Sequence, residues 1–487
     1  MKKAFSNDLY VELQSKHIQE RIQKFDNKLY LEFGGKLFDD YHASRVLPGF
    51  EPDAKIRMLL KIKDKVEVVL VINANDVESS KTRSDIEITY TQDLLNKISE
   101  FEDVGLNVGG VVITHFDKQL NAKHLRKKLE KKGIKVAYHY IIENYPNDVD
   151  KVLSNDGFGK NEYIPTTKDV VVITAPGPGS GKLAVCLSQI YHDSLNGIKS
   201  GYAKFETFPV WNLPLNHPVN LAYESATVDL DDVNMIDPFH LENYNQATVN
   251  YNRDIEAFPI LNDLLTRING KQIYKSPTDM GVNQIASGII DDEIIKEASK
   301  QEILRRYYDS LVKAYKEEKY ADEVVKQEII MTKANIKKED RKVAVVANEL
   351  SRKTGVPCCA IELNDGTIIT GKTTEVTGCC SSALLNAVKH LAGLPDEDLI
   401  SKELLEPIQH LKIKHLRSKN PRLHTDEILV ALAIGSKTDE RCKKALDALD
   451  GLKNTEVHTS VILSRTDKNI LKKLGVHLTM EPKTQIN

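Results

Sequence analysis

Apolar runs rich in Val and Ile alternate with amphipathic segments in the first third of this chain, and no other sequence feature limits its fold so strongly. The apolar runs occupy 66–74, 109–116 and 135–142, and helical patterns fill 91–105 and 121–133 between them. Strands that alternate with helices of this length are typical of parallel βαβ units, because each helix carries the chain back across the sheet. The sequence therefore predicts an α/β fold of mainly parallel sheets with flanking helices.

Length and composition exclude several classes of protein. A chain of 487 residues, 41% hydrophobic and 28% charged, is typical of a folded protein with roughly two to four domains. It has no apolar run near the ~20 residues that a membrane-spanning helix needs. Its first lysines are not followed by the apolar segment of a signal peptide, and six cysteines are too few for a disulfide-stabilised scaffold. We therefore expect a cytoplasmic, reduced protein that does not enter a membrane.

The charge balance bears on the partners of the chain. The 67 Lys and Arg residues nearly equal the 70 Asp and Glu residues, which leaves a net charge of -3. This balance gives no overall attraction to nucleic acid or to an anionic membrane. The expected partner is therefore a small molecule rather than a nucleic acid.

Changes of pattern along the chain predict four parts. Residues 1–160 form an N-terminal α/β domain, and residues 161–290 form a P-loop-like, anion-binding part that can share a sheet with it. A charged helical region follows over 291–350 and is the segment that we expect to mediate self-association into a homo-oligomer. Residues 351–487 form a C-terminal α/β domain that starts with a hairpin around an Asn-Asp-Gly turn.

The glycine-rich stretch after the apolar run 169–175 is the sharpest chemical signal. An apolar strand leads into a turn and then into a helix that begins near Lys182. Closely spaced glycines let backbone N–H groups point into one concavity, the helix N-terminus adds a positive dipole end, and a lysine adds a full charge. The spacing predicts binding of a phosphate group, as in ATP or another nucleotide, by Gly177, Gly179, Ser180, Gly181 and Lys182.

The stretch departs from the strict pattern G-x-x-x-x-G-K-[ST] at two positions. Pro176 stands at the first glycine, and Leu183 replaces the hydroxyl residue that would bind Mg²⁺. Anion binding is therefore better supported than hydrolysis of Mg-ATP, and a tight turn whose glycines serve only packing is the alternative. A strict match at 366–373 has Thr and Ile at its variable positions, which favour a strand.

Residues 199–290 lose clear periodicity and combine proline, asparagine, acidic and aromatic residues. We interpret them as ordered loops that build a binding pocket, because basic groups can clamp an anion and carboxylates can hold a cation or act as bases. Each residue alone fits a turn or a surface ion pair equally well, and the identity of any metal is open. The candidate catalytic residues are Lys204, Glu206, His217, Asp237, Arg253 and Asp279.

The histidines and cysteines give weaker indications of a functional site than the glycine-rich stretch does. The sequence has no H-E-x-x-H, so it does not indicate a zinc protease of that type. Adjacent cysteines occur at 358–359 and 379–380, without the spacing of a structural zinc site. Adjacent residues on a strand face opposite ways, so we expect one member of each pair to be buried as a small apolar side chain, and a redox or metal-binding pair is the alternative.

Four long strings in the irregular stretch carry a resemblance to a known family. KFETFPVWNLPLNHPVN, DVNMIDPFHL, VNYNRD and SPTDMGVN are similar to uncharacterised protein family 0371, a bacterial domain-of-unknown-function family. The resemblance covers essentially the whole chain. It implies a cytosolic bacterial protein of several α/β parts and does not imply a reaction.

Together these features predict a protein that binds a nucleotide or another phosphorylated or carboxylated small molecule at the glycine-rich loop. The density of polar groups over 204–283 favours a ligase-, kinase- or transferase-type enzyme acting on a small polar substrate. The alternative is a non-catalytic protein that senses a phosphorylated metabolite, which Leu183 in place of Ser or Thr favours.

Overall fold

The computed structural model describes residues 3–25, 28–83 and 87–484. The chain divides into two compact units. The N-terminal unit comprises residues 2–223 and 232–296, and the C-terminal unit comprises 224–231 and 297–487. Within the described ranges, no helix has both the length and the apolar character needed to cross a membrane.

A six-stranded parallel sheet with the strand order β6-β5-β2-β7-β1-β8 forms the centre of the N-terminal unit. Two short antiparallel pairs, β3 with β4 and β9 with β10, lie outside it. The strands are β1 Leu29–Phe33, β2 Val66–Asn73, β3 Thr82–Arg83, β4 Ile88–Thr89, β5 Asn107–Phe116, β6 Val136–Tyr140, β7 Val170–Thr174, β8 Gly201–Phe205, β9 Asn234–Ile236 and β10 Val249–Tyr251. The prediction of a parallel α/β sheet is confirmed, and β7 and β8 share the sheet with the strands that precede them.

Helices flank this sheet. The helix over 90–103 packs on β2 and β5, and the helix over 182–195 packs on β1, β7 and β8. The helices are α1 Asn7–Gln23, α2 Tyr41–Val46, α3 Ala54–Leu60, α4 Ala74–Glu78, α5 Tyr90–Asp103, α6 Leu120–Glu130, α7 Val149–Val152, α8 Lys182–Leu195, α9 Pro218–Ala226, α10 Pro238–Tyr244, α11 Asn252–Asn269 and α12 Pro277–Met280.

Burial explains the continuous apolar runs. All five residues of β1 and of β7 are buried, as are the first seven of β2. Central parallel strands are covered on both faces, so they do not alternate between apolar and polar residues. The Val- and Ile-rich runs are therefore the centre of the sheet.

The irregular stretch contains more regular structure than its sequence pattern indicates. It includes β8 and four helices, and α11 alone runs for 18 residues with Pro259 inside it. Proline usually interrupts a helix, which made this segment resemble a loop. Packing decides otherwise, because Phe258, Leu264 and Leu265 on one side of α11 are buried.

The strand order contains a point where the direction of winding reverses. From β2 the chain adds β5 and then β6 on one side, and later places β7 on the other side of β2. The carboxyl ends of β2 and β7 therefore border a topological switch point, where open α/β sheets form ligand-binding crevices. The glycine-rich loop follows β7 directly.

The C-terminal unit contains a four-stranded mixed sheet with the order β12-β11-β13-β14, in which only β13 and β14 are parallel neighbours. Its strands are β11 Cys358–Glu362, β12 Ile368–Lys372, β13 Glu456–Thr459 and β14 His477–Met480. The α-helices from residue 292 onward are α13 Asp292–Lys316, α14 Ala321–Lys333, α15 Lys342–Thr354, α16 Cys379–Leu391, α17 Lys402–His410, α18 Thr425–Gly435, α19 Glu440–Asp447 and α20 Arg465–Lys473.

Two sequence interpretations concern this smaller sheet. The strict nucleotide-loop match at 366–373 includes the whole of β12, which pairs antiparallel with β11. It therefore forms a hairpin and not a phosphate loop. All six cysteines are buried and free, and Cys359, Cys379, Cys380 and Cys442 belong to the main apolar core of the unit. Both members of each pair are buried, where the sequence predicts one, and the second pair begins the helix α16 rather than lying on a strand.

A buried arginine joins α15 to this sheet. The side chain of Arg341 has no exposed surface and lies just before the first turn of α15. Its guanidinium donates to Thr479 Oγ1 at 2.6 Å and to Glu456 Oε2 at 2.9 Å. It also donates to the carbonyl oxygens of Val457 and His477 at 3.2 and 3.1 Å. One side chain thus holds both β13 and β14.

We predict that Arg341→Ala destabilises the C-terminal unit by about 2–6 kcal/mol, because two buried carbonyl groups lose their donor at about 1–3 kcal/mol each. Glu456 loses one cationic partner and keeps Arg305. Hydrogen exchange of β13 and β14 peptides in increasing urea measures the change. Arg352→Ala is the matched control, since Arg352 is exposed on α15 and, among the residues that the structure describes, donates only to the carbonyl oxygen of Asn348 in the same helix. Equal protection in the two variants would contradict this role of Arg341.

Candidate functional site

The glycine-rich loop between β7 and α8 needs its glycines for conformation and for close packing. Gly179 and Gly181 have φ angles of 68° and 87°, in the left-handed region that favours glycine. A Cβ atom on Gly177 would lie 2.5 Å from the hydroxyl oxygen of Tyr90. A larger side chain at any of these three positions would therefore reshape the loop.

The loop is anchored at the switch point of the sheet. Thr114 Oγ1, at the end of β5, donates to the carbonyl oxygen of Ser180 at 2.6 Å. Asn73 Nδ2, at the end of β2, donates to the carbonyl oxygen of Gly179 at 3.4 Å. These bonds hold two carbonyl groups of the loop against the neighbouring strands.

Ser180 has an unmet hydrogen-bonding capacity. The residue is 4% exposed, and within the described part of the chain its buried hydroxyl oxygen has no hydrogen-bond partner. Leaving a buried polar group unpaired costs free energy, so such a group in a native structure calls for water or a ligand. The loop therefore keeps one buried polar group that the described side chains and backbone do not pair.

The first turn of α8 carries positive charge. Gly181 at its N-cap provides no side-chain hydrogen bond to the first amides of the helix. Lys182 is half-buried and forms no ion pair with any residue in the ranges that the structure describes. An uncapped helix N-terminus with an unpaired ammonium group favours an anion.

A second polar cluster lies where β8 ends. Lys204 Nζ lies 2.7 and 2.6 Å from the two carboxylate oxygens of Asp254 and 3.1 Å from Glu206 Oε1. Glu32, near the end of the neighbouring strand β1, accepts a hydrogen bond from the hydroxyl of Tyr202 at 2.8 Å. One ammonium group is therefore placed among three carboxyl groups.

The environment shifts the protonation of this cluster. Burial raises the pKa of the Glu206 carboxyl from 4.5 to about 7; the ammonium of Lys204 opposes this shift and the carboxylate of Asp254 adds to it. Burial lowers the pKa of Lys204, but the carboxylates of Asp254 and Glu206 outweigh it and hold that pKa above its ordinary value. Lys204 thus stays charged, while Glu206 can exchange a proton near neutral pH.

Two adjoining cavities of about 50 and 70 Å³ open onto the cluster, and Lys204, Asp254 and Pro277 line both. Each has room for a few water-sized groups. The first is also lined by Glu206, Phe208, Pro209, Trp211, Val249, Asn250, Thr278, Gly281 and Asn283, and the second by Glu32, Leu183, Tyr202, Ala257, Leu261 and Met280.

Leu183 connects this cleft to the glycine-rich loop. It is the second residue of α8 and lines the same cavity as Glu32 and Lys204. The cleft therefore reaches the first turn of the helix that Lys182 begins.

Asn283 fixes one wall of the cleft. Its Nδ2 donates to the carbonyl oxygens of Glu206, Thr207 and Pro209 at 2.9, 3.0 and 3.3 Å. Its own carbonyl oxygen accepts a hydrogen bond from Trp211 Nε1 at 3.0 Å. These bonds restrain the backbone after β8 and the indole of Trp211, so the pocket wall is preorganised.

Two predicted site residues, His217 and Asp237, have structural partners outside the Lys204 cluster. His217 Nε2 lies 3.0 Å from Asp292 Oδ1. Asp237 caps α10 by accepting from the amide of His240 and accepts from the hydroxyl of Thr278 at 2.6 Å. Thr278 lines the first cavity, so Asp237 supports the pocket from behind.

Arg253 and Asp279 likewise have fixed partners. Arg253, with a side chain 60% exposed, contacts both carboxylate oxygens of Asp232 at 2.5 and 2.6 Å. Asp279 accepts from the hydroxyl of Tyr244 at 2.8 Å and from the amide of Lys275 at 3.0 Å. Of the six predicted catalytic residues, the structure brings Lys204 and Glu206 together in the cleft.

The sequence did not single out Glu32, and it did not connect Asp254, a carboxylate of the irregular stretch, with Lys204. Glu32 is the one charged residue of the strand LYLEF, and two glycines follow that strand directly. That position was a usable signal, because a buried acidic residue at the end of a central strand needs a partner. Asp254 lies on the segment read as a loop, fifty residues after Lys204, so no local pattern connects the two.

The described residues show no grouping of three or more His, Cys, Asp or Glu side chains suited to a metal ion. In the carboxylate cluster, Lys204 occupies the position between Glu206 and Asp254 that a cation would need. The ammonium group thus acts as an internal counter-ion.

We predict that the pKa of Glu206 responds in opposite directions to changes at its two neighbours. Lys204→Met should raise it, because a stabilising cation is lost, and Asp254→Asn should lower it, because a repelling anion is lost. A ¹³C NMR titration of protein with carboxyl-labelled glutamate, assigned by the signal missing in Glu206→Gln, measures each pKa. Shifts in the same direction in both variants would contradict the arrangement.

The same shift predicts how stability depends on pH. The pKa of Glu206 in the folded protein, about 7, lies above its ordinary 4.5, so the folded state holds this proton more tightly. The stabilisation of the folded state by this bound proton is fully present below pH 4.5 and is lost as the pH rises through 7. Unfolding of the N-terminal unit, followed by Trp211 fluorescence, should therefore lose part of its pH dependence in Glu206→Gln.

Comparison with known sequences places the chain in a family. Residues 3–335 match a family model described as "Domain of unknown function DUF1846, N-terminal". Residues 339–487 match a second model, described as "Domain of unknown function DUF1846, C-terminal". The chain is 55% identical over 483 residues to proteins named UPF0371 protein from Streptococcus pneumoniae (strain JJA) and Streptococcus thermophilus (strain ATCC BAA-491 / LMD-9). Each match covers 99% of this chain and 98% of the relative. The chain therefore belongs to the DUF1846 family of bacterial proteins, whose function is not established.

Proposed function

We propose that the N-terminal unit binds the phosphate group of a small phosphorylated molecule, such as a nucleotide, at the loop 177–182. In this proposal the β7–loop–α8 segment acts in the manner of a P-loop without its Mg²⁺-binding hydroxyl. The unit then catalyses a ligase-, kinase- or transferase-type reaction on a small polar substrate in the adjoining cleft.

The observation that carries the proposal is the unpaired positive charge at the switch point. Lys182 has no carboxylate partner within the described ranges, and it begins a helix whose first amides lack a side-chain cap. The unpartnered hydroxyl of Ser180 lies one residue before that N-cap. A phosphate group supplies the acceptor oxygens that all three features need.

The cleft supports an enzyme rather than a simple binder. Glu206 has a pKa of about 7, which is suited to a general acid or base at physiological pH. Its position is set by an ion pair with Lys204 and by the backbone bonds of Asn283. A carboxyl group tuned in this way, within a cleft, is typical of catalytic sites.

We predict that Lys182→Ala weakens binding of pyrophosphate, ATP or glucose 6-phosphate by about tenfold to a hundredfold, the range for losing a charge-assisted hydrogen bond. Ser180→Ala should cause a smaller loss, since a neutral donor is removed. Isothermal titration calorimetry measures both, and Lys128→Ala, an exposed lysine on α6, is the control. Unchanged affinity in Lys182→Ala would refute the role of the loop.

Leu183 at the position of the usual Ser or Thr favours a second function, the sensing of a phosphorylated metabolite without a metal. The two functions differ in their response to Mg²⁺. For the enzyme we expect Mg²⁺-dependent thermal stabilisation by nucleotide and measurable turnover that Glu206→Gln abolishes. Stabilisation independent of Mg²⁺, with no turnover of any tested phosphate, would instead support the sensor.

A further inference from the structure

We infer that the cleft at the end of β8 holds the hydroxyl- or ammonium-bearing end of the phosphorylated ligand, and that Glu206 accepts a hydrogen bond from that group and exchanges a proton with it when it is an ammonium. This inference rests on the proposed function, because it takes the opposite end of the ligand to be bound at the loop 177–182. It adds the chemical class of the ligand: a phosphate ester with a hydrogen-bond donor at its far end.

The charges that line the two cavities carry the inference. Carboxyl groups outnumber ammonium groups three to one there, with Glu32, Glu206 and Asp254 against Lys204. The guanidinium of Arg253 does not offset this excess, because it is paired with Asp232. A second phosphate would be repelled by such a cleft, whereas an ammonium or hydroxyl group finds acceptor oxygens.

The sheet sets the length of the ligand. The loop follows β7, the Lys204 cluster follows β8, and β1 lies between these two strands. Two strand spacings correspond to about 10 Å along the edge of the sheet. Leu183, the residue directly after the loop, lines the second cavity together with Glu32 and Lys204. A ligand of roughly the size of a sugar phosphate can therefore reach both ends.

Proton exchange needs no further reactant when the group is an ammonium: an N–H bond of the ligand breaks, its electron pair stays on nitrogen to leave a neutral amine, and the proton passes to the carboxylate of Glu206. A hydroxyl group at the same place donates a hydrogen bond to that carboxylate and keeps its proton. With a pKa of about 7, this carboxyl group is both a sufficient acceptor and a ready donor. The charged and titratable groups that influence it are Lys204 on β8, Glu32 on β1, Asp254 on α11, Tyr223 on α9 and Tyr251 on β10.

The position of the Glu206 side chain can be changed without changing its charge. A Cβ atom on Gly34, directly after β1, would lie 2.6 Å from Glu206 Cγ. Real Cβ contacts are longer, so Gly34→Ala must move the Glu206 side chain. This variant keeps every charged group of the cleft and alters only the placement of one.

The test uses three phosphate esters with equal chains: 6-aminohexyl phosphate, 6-hydroxyhexyl phosphate and hexyl phosphate. At pH 8 we expect the amino ester to bind wild-type protein about tenfold more tightly than hexyl phosphate, as for one charge-assisted hydrogen bond, with the hydroxy ester between them. At pH 6 the preference should shrink, because Glu206 is then mostly protonated. Aminoethyl phosphate, which is too short for the span, should show no such preference over ethyl phosphate.

The variants separate the two ends of the ligand. Glu206→Gln and Gly34→Ala should reduce the preference for the amino ester to less than about threefold while hexyl phosphate binds as before, since only the donor group is affected. Lys182→Ala should weaken all three esters together and leave their ratio unchanged. Calorimetric titration at both pH values provides every quantity.

The outcomes distinguish failure of this inference from failure of the proposed function. If wild-type protein binds none of the esters, the phosphate site itself is wrong. If it binds all three equally and Lys182→Ala weakens them, the phosphate site stands and the donor-binding cleft is wrong. If the amino ester is preferred but Glu206→Gln keeps the full preference at both pH values, Glu206 is not the group that contacts it.

Discussion

Because all six strands of the N-terminal sheet run in the same direction, the chain leaves each of them at one edge, and the placement of the glycine-rich loop, Gly34 and Glu206 follows from that constraint. The glycine-rich loop follows β7, Gly34 follows β1, and Glu206 follows β8. A parallel sheet thus collects at its carboxyl edge groups that are far apart in sequence. The loop lies beside β2 at the switch point, and the carboxylate cleft lies two strands away.

Within the cleft, the ion pairs of Lys204 determine what each charged group can do. The ammonium lies against both oxygens of Asp254 and one oxygen of Glu206, so it is not free to clamp an anion. The same contacts leave an excess of carboxyl groups in a site that is largely shielded from water. One of them, Glu206, therefore holds its proton to nearly neutral pH. An ammonium group without a carboxylate partner in the described ranges lies instead at Lys182, the first residue of α8.

Much of the framework could be predicted from local patterns. The apolar runs that became β2, β5 and β7 and the helical patterns of α5 and α6 are strong because central parallel strands are buried on both faces. The same reasoning failed for α11. Pro259 and the polar residues near it are typical of a loop, but the burial of Phe258 and Leu264 stabilises the segment as a helix. For the site, the sequence indicated Lys204 and Glu206 by polar density alone, and it grouped them with His217, Asp237, Arg253 and Asp279, whose partners lie elsewhere.

The sequence by itself determined the parallel α/β class, the strand–glycine loop–helix order around Lys182 and the burial of the cysteines, because each depends on residues close together in the chain. Only the tertiary structure decided that Glu32 and Asp254 join Lys204 and Glu206, since those four come from three separate elements. Strand order is likewise a long-range property: no local pattern places β7 beside β2 or β8 beside β1. The electrostatics of the cleft depend on those pairings, because the pKa of a carboxyl group depends on burial and on charges that only folding brings near.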